Sequence, residues 1–242
     1  MIIIIDIHSH IIFGVDDGPN TLEESINMLK IAIDQGITDI IGTSHYGNDR
    51  FSYNIDKLKN NFMMIQERIK KENLEITLYL GNEIYLNEET LDSLKNNKCF
   101  TLANSKYILI ELNGLENFFF FKKLIFNLGC SGYIPIIAHC ERLIKSKNDY
   151  RKILKLKEMG CYLQVDADFF INSRKKLLKK LVINQLKKGV ISFIASDTHG
   201  IEYRPNNLCN VYYKLGKKIG QERIDKIMIE NPQKILNKVK HL

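Results

Sequence analysis

The chain opens with Ile2-Ile3-Ile4-Ile5-Asp6-Ile7-His8-Ser9-His10 and continues to Gly14-Val15-Asp16-Asp17-Gly18. Four isoleucines lead straight into two histidines at positions i and i+2. On an extended strand that spacing puts both imidazoles on one face, at the end of a segment too apolar to lie in water. Read alone, the stretch is either the start of a metal site or a buried strand with a polar turn and incidental histidines. The other strand ends decide between the two.

Seven short apolar runs read as strands: residues 2–7, 39–43, 76–81, 107–111, 134–138, 161–165 and 192–195. They are rich in β-branched residues and lack polar alternation, as expected of parallel strands covered on both faces. Helical patterns lie between them. Thr21-Leu22-Glu23-Glu24 offers an N-cap with a carboxylate three residues on, and that helix closes at Gln35-Gly36. Residues 54–71 repeat Ile55, Leu58, Phe62, Ile65 and Ile69 at helical spacing. Further helices are predicted over 88–96, 118–128, 149–159, 174–188, 208–219 and 221–229, the last stopping before Asn231-Pro232. Strand alternates with helix throughout, so the class is α/β with a parallel sheet. Strand ends recur every 27 to 38 residues, about one βα repeat each. With no internal repeat, linker or shift in composition, residues 1–242 read as one domain.

Composition narrows the partners. The 242 residues are 45% hydrophobic and 26% charged, ordinary for a soluble protein, with a net charge of +7. The basic clusters Arg174-Lys175-Lys176 and Lys179-Lys180 carry no interleaved aromatics, which argues for solvated helix faces and against a nucleic-acid groove. Five cysteines without CxxC spacing argue against a disulfide framework and for a reducing compartment. No run reaches membrane-spanning length and no signal peptide is evident, so a cytoplasmic location without membrane insertion is expected. Phe118–Phe121 cannot all face one side of a helix; two or three should enter the core, leaving the rest for the active-site mouth or a subunit contact.

Five of the six histidines sit at strand ends; His241, near the C-terminus, is expected to be solvated. His8 and His10 follow the first strand, His45 the second, and His139 the fifth. Glu83 ends the third and Glu111 the fourth, while Asp197 and His199 end the seventh. In a parallel barrel the C-terminal ends of the strands build the active site. So many polar groups at the mouth of an apolar interior are costly unless paired or coordinated. Mixed imidazole and carboxylate donors suit manganese, iron or zinc. Eight such donors exceed one ion's needs, which points to two or three metals and to hydrolysis of a phosphate ester.

The ordered set DIHSH, DDG, TSH, GNE, IEL, AHCER and SDTH, ending in ENPQKI, resembles the polymerase-and-histidinol-phosphatase (PHP) superfamily. Within it the chain looks like the metal-dependent tyrosine-protein phosphatases of bacterial capsule and exopolysaccharide clusters, over nearly its whole length. The resemblance implies a distorted (β/α)7 TIM-like barrel with three metals, usually Mn2+. It implies His8, His10, Glu83 and Asp197 at the first metal, Glu83, Glu111 and His139 at the second, and Asp17, His45 and His199 at the third. Asp17 is preferred to Asp16 on the register of the DDG motif. Arg142 and Arg204 match phosphate-binding arginines, whose planar guanidinium can hold two phosphoryl oxygens. A metal-bound water, Asp197 or His199 is left to supply the leaving-group proton, which a phenolate of pKa about 10 needs less than an alkoxide does. The implied activity is dephosphorylation of protein tyrosine, with the tyrosine-rich tail of a bacterial tyrosine kinase as the expected partner.

His139-Cys140 also invites a cysteine-based phosphatase, but Arg142 follows too closely and no glycine-rich loop intervenes, so Cys140 reads as a small buried residue. Residues 46–50 and 116–121 match no family pattern, and Asp166 and Asp168 read as polar mouth residues. The competing readings are a PHP phosphoesterase acting on histidinol phosphate or nucleic-acid ends, an amidohydrolase barrel, and a non-catalytic regulator. An amidohydrolase typically carries a metal-bridging lysine where this chain has Glu111.

Overall fold

A computed structural model describes residues 3–236; Ile2 and His241 lie outside them. Its strands are β1 (Ile4–Ser9), β2 (Ile37–Gly42), β3 (His45–Tyr46), β4 (Thr77–Leu80) and β5 (Glu83–Tyr85), then β6 (Tyr107–Glu111), β7 (Ile134–Ile137), β8 (Tyr162–Asp166) and β9 (Phe193–Ala195). Every strand pair is parallel, in the orders β1-β2-β4 and β3-β5-β6-β7-β8-β9. β3 resumes β2 after Thr43-Ser44, and β5 resumes β4 after Gly81-Asn82, so the nine strands form seven staves. The sheet curls until its first and last staves meet at the C-terminal rim. There Ser9 bridges Thr198, Asp197 N donates to His8 O (2.9 Å), and His10 N donates to Thr198 O (2.9 Å). The result is the distorted (β/α)7 barrel that the motifs implied.

Two layers of apolar packing hold it. Ile5, Ile7, Ile41, Leu109, Ile136 and Phe193 come from five staves and form one buried cluster inside the curl. A larger cluster lies between the sheet and its helices, and each buried isoleucine or leucine there contributes about 1.5–3 kcal/mol. The helices are α1 (Leu22–Asp34), α2 (Ile55–Lys71), α3 (Thr90–Lys95), α4 (Phe118–Cys130), α5 (Lys147–Glu158), α6 (Ala167–Asn172), α7 (Lys176–Lys187), α8 (Leu208–Ile219), α9 (Gln221–Asp225) and α10 (Asn231–Ile235). Thr21 caps α1 by accepting from Glu24 N (3.3 Å), while Glu24 Oε2 reaches back to Asn20 N (2.6 Å).

Two expectations change. The sixth stave ends at Asp166 and turns directly into α6, which the sequence reading left as polar mouth. The last helix does not stop at Asn231-Pro232: it widens into a π-turn over Lys226–Glu230 and continues as α10, with Pro232 in the first turn, where a missing N–H is tolerated. Of the four phenylalanines opening α4, Phe118 and Phe121 enter the core, within the expected two or three, while Phe119 is 84% exposed and Phe120 39%.

Candidate metal centre

The β1–β2 register shifts between Asp6 and Ser9, where the strand delivers its histidines; irregularities of this kind re-aim side chains at a barrel rim. His8 Nε2 and His10 Nε2 lie 3.3 Å apart. Glu83 Oε2 is 3.3 Å from each of them, and Asp197 Oδ1 is 3.3 Å from the first and 3.4 Å from the second. Donors held at about 2.1 Å around one ion stand about 3.4 Å apart in a tetrahedron and about 3.0 Å in an octahedron. The five measured separations fall in that range.

Around this group the remaining donors gather. Glu83, fully buried, takes His139 Nε2 on its other oxygen (2.6 Å) and has His45 Nδ1 at 3.2 Å. Glu111 approaches His45 (3.8 Å) and His139 (4.0 Å). Asp17 Oδ1 faces His199 Nε2 (3.2 Å), His45 Nε2 (3.6 Å) and His10 Nδ1 (4.0 Å). Among the described residues, three sets have one donor atom from each member within 4.8 Å of every other: His10, Asp17, His45 and His199; His8, His10 and Asp197; and His45, Glu83 and Glu111. His10 and His45 thus each belong to two sets, a sharing the sequence grouping did not contain. The donor chemistry and spacing fit divalent cations, and a further observation supports that fit. His139 Nδ1 and Glu111 Oε2 are buried with no hydrogen-bond partner among the described residues, and His45 Nδ1 makes no hydrogen bond with the Glu83 oxygen 3.2 Å away, an expense proteins avoid unless another group completes them.

Residues behind the donors set which nitrogen faces inward. His10 Nδ1 donates to Asp16 Oδ2 (2.8 Å), which also accepts His45 N (3.1 Å). His199 Nδ1 donates to Asp197 O (2.9 Å), and His8 Nδ1 meets Gln164 Oε1 (3.3 Å). Histidines that ligate metals characteristically donate their second ring N–H in this way. Gly18 belongs to the same arrangement: a Cβ there would lie 2.2 Å from His10 O, so only glycine lets the aspartate turn close over the histidine. On sequence Asp16 is set aside in favour of Asp17, and Gln164 is missed, because its partners are defined by folding. The one available signal for Gln164 is a polar residue on an otherwise apolar strand.

Opposed charges shape the titration. Burial alone would depress His8, but Glu83 and Asp197 outweigh it and hold the imidazolium up to about 9. His45 goes the other way, to about 4, because burial dominates. Asp17 falls to about 2: burial opposes the shift, and His199, His10 and His45 overcome it.

Both candidate phosphate arginines converge on one carboxylate. Arg142 Nη2 and Arg204 Nη2 each pair with Asp197 Oδ2, Arg142 also pairs with Asp166, and Arg204 Nη1 donates to His199 Nε2 (2.8 Å). Asp166 is therefore a buried ion-pair partner, whereas Asp168 lies in the first turn of α6. His139, Asp197 and Arg204 have φ of +32°, +51° and +48°, a left-handed backbone that non-glycine residues adopt at a cost of about 1–3 kcal/mol and that clusters at functional sites. A cavity of about 420 Å3 opens beside Arg142, lined by Glu111, His139, Tyr85, Arg50 and Lys145, so residues 48–50 line it from the segment after His45. Burial, aided by Glu141 and Asp166, pushes the Cys140 thiol well up, which removes it as a thiolate nucleophile.

The family model for "Capsular polysaccharide synthesis, CpsB/CapC" matches residues 4–237. The tyrosine-protein phosphatase CpsB of Streptococcus agalactiae serotype III (strain NEM316) is 33% identical over 237 residues, covering 96% of this chain and 98% of the relative. The tyrosine-protein phosphatase YwqE of Bacillus subtilis (strain 168) is 30% identical over 232 residues, with 96% and 91% covered. A crystal structure from work on YwqE of Bacillus subtilis and CpsB of Streptococcus pneumoniae, described as "unique metal-dependent tyrosine phosphatases", superposes with a TM-score of 0.88 at 28% identity, over 100% of this chain and 96% of its own.

Proposed function

The chain belongs to the CpsB/CapC capsular polysaccharide synthesis family, and on that premise we propose that it is a metal-dependent protein-tyrosine phosphatase. The observation that carries this reading is the convergence of His8, His10, Glu83 and Asp197 at cation-ligand spacing beside two arginines. Its expected cofactor is Mn2+, in two or three copies, with iron or zinc as alternatives of the same donor chemistry. His8, His10, Glu83 and Asp197 would hold one ion, Glu83, Glu111 and His139 a second, and Asp17, His45 and His199 a third, with His10 and His45 close enough to be shared. When bound, such ions acidify water and neutralise charge on the phosphoryl oxygens.

The chain's own residues do the rest. Arg142 and Arg204 orient the phosphoryl group and offset its growing charge, exchanging their present carboxylate partner for phosphate oxygens of the same geometry. Despite its burial, Asp197 is held well below the usual carboxylate range by His8, His10 and Arg142, which suits it to the part of ligand and anchor. A phenolate leaving group, with a parent pKa of about 10, departs without strong general-acid help. A phosphotyrosine segment of a kinase acting in polysaccharide synthesis is the expected substrate.

Purified protein with Mn2+ should release phosphate from a phosphotyrosine peptide faster than from histidinol phosphate. The reverse order would promote the small-molecule phosphoesterase reading, and full activity after chelation would end the metal-dependent one. His139→Ala should lose the activity, since it removes the partner of Glu83.

A further inference from the structure

Gln164 lies on β8 with its side chain fully buried, directly behind the donor cluster. Three groups surround its amide. Oε1 accepts the backbone N–H of His139 (2.8 Å) and faces His8 Nδ1 (3.3 Å), while Nε2 donates to Asp166 Oδ1 (2.9 Å). The orientation is not a matter of choice. A backbone N–H can only donate and an ionised carboxylate can only accept, so rotating the amide by 180° would set N–H against N–H and oxygen against carboxylate. With Oε1 fixed as an acceptor, His8 keeps a proton on Nδ1, and the proton that an ion displaces is the one on Nε2. Its lone pair then lies on Nε2, the nitrogen that faces His10, Glu83 and Asp197.

The same amide reaches two further parts of the site. His139 holds the left-handed φ of +32°, and its N–H bond to Gln164 ties that backbone to the neighbouring stave. Asp166, which Gln164 anchors through one oxygen, uses the other to hold Arg142. We propose that Gln164 is a positioning residue that sets the tautomer of His8 and the placement of His139 and, through Asp166, fixes the guanidinium of Arg142. It touches neither the reacting phosphoryl group nor an ion. The inference rests on reading the cluster as a cation site and Arg142 as a phosphate ligand.

Because the amide has two arms, substitutions can separate them. Gln164→Met keeps the volume and removes both arms. Gln164→Glu keeps one acceptor oxygen for both His8 and His139 but sets its other oxygen against Asp166 Oδ1, disturbing the arginine arm. Asp166→Asn loosens Arg142 while leaving Gln164 facing His8. Mn2+ affinity, followed by the electron paramagnetic resonance of free Mn2+, and the separate KM and kcat for a phosphotyrosine peptide are the readouts.

Gln164→Met should weaken Mn2+ binding about 10- to 100-fold, the usual effect of removing a partner behind a ligand. Gln164→Glu and Asp166→Asn should leave Mn2+ affinity within a few-fold of wild type and raise KM by about tenfold. Gln164→Met that is folded by circular dichroism and binds Mn2+ like wild type would overturn the proposal. If that variant does not fold, Gln164→Glu with an unchanged KM would overturn it instead. Wild-type protein that binds no Mn2+ would refute the metal reading itself, a different failure from a wild type and Gln164→Met that bind equally.

Discussion

The rim of the barrel has two unlike sides. On the side where the first and last staves meet, His8, His10 and His199 each have Nδ1 engaged by an acceptor: Gln164, Asp16 and the Asp197 carbonyl. On the other side, His45 Nδ1, His139 Nδ1 and Glu111 Oε2 are buried without hydrogen-bond partners among the described residues. The first side is set by the protein alone, with its inward nitrogens committed before any ion arrives. The second leaves these atoms open to an ion. Preorganisation lowers the cost of binding, so the first side should take up an ion before the second does.

The largest effect that would sharpen this contrast comes from removing a donor on the preorganised side. Asp197→Ala or His10→Ala should abolish tight Mn2+ binding and lower kcat/KM by at least about 1,000-fold in a phosphatase assay. Glu111→Gln on the open side should spare the first Mn2+ in a titration, remove a later one and cost about 100-fold in kcat. Equal loss of all ions in both variants would erase the distinction between the sides.

Asp16→Ala, which frees His10 Nδ1 without touching a donor, should weaken Mn2+ binding about tenfold in the same titration. Proton competition follows next. His8 in the metal-free protein holds its proton up to about pH 9, and an ion must displace it. Below that value, apparent Mn2+ affinity should therefore rise about tenfold per pH unit for each proton displaced. Affinity that is flat between pH 6 and 8 would contradict the protonated state. The smallest effect should be Phe119→Ser, an exposed side chain, with a change of less than about 0.5 kcal/mol in unfolding free energy.

The seven staves were legible because parallel strands buried on both faces read as unbroken apolar runs, and the donors were legible because they stand at the ends of those runs. What could not be read is what depends on partners distant in the chain. Gln164 meets His8 across 156 positions, and Asp6, buried against Ser196, Asn206 and the His8 amide, depends on neighbours up to 200 positions away. Asp16 and Asp17 are adjacent and chemically identical, yet one lies behind His10 and the other faces His199. The continuation through Pro232 was hidden because a proline normally marks a helix end, and only the π-turn before it removes that constraint. The breaks at Thr43-Ser44 and Gly81-Asn82, which split two staves, carried only a glycine and ordinary polar residues, which do not by themselves fix a break.

The most direct test is an anomalous difference map from crystals of the protein grown with Mn2+. The account predicts a first peak between His8, His10, Glu83 and Asp197, with further peaks beside Glu111 and His139 or beside Asp17 and His199. A map with no peak among these residues, or with its strongest peak elsewhere on the chain, would contradict it.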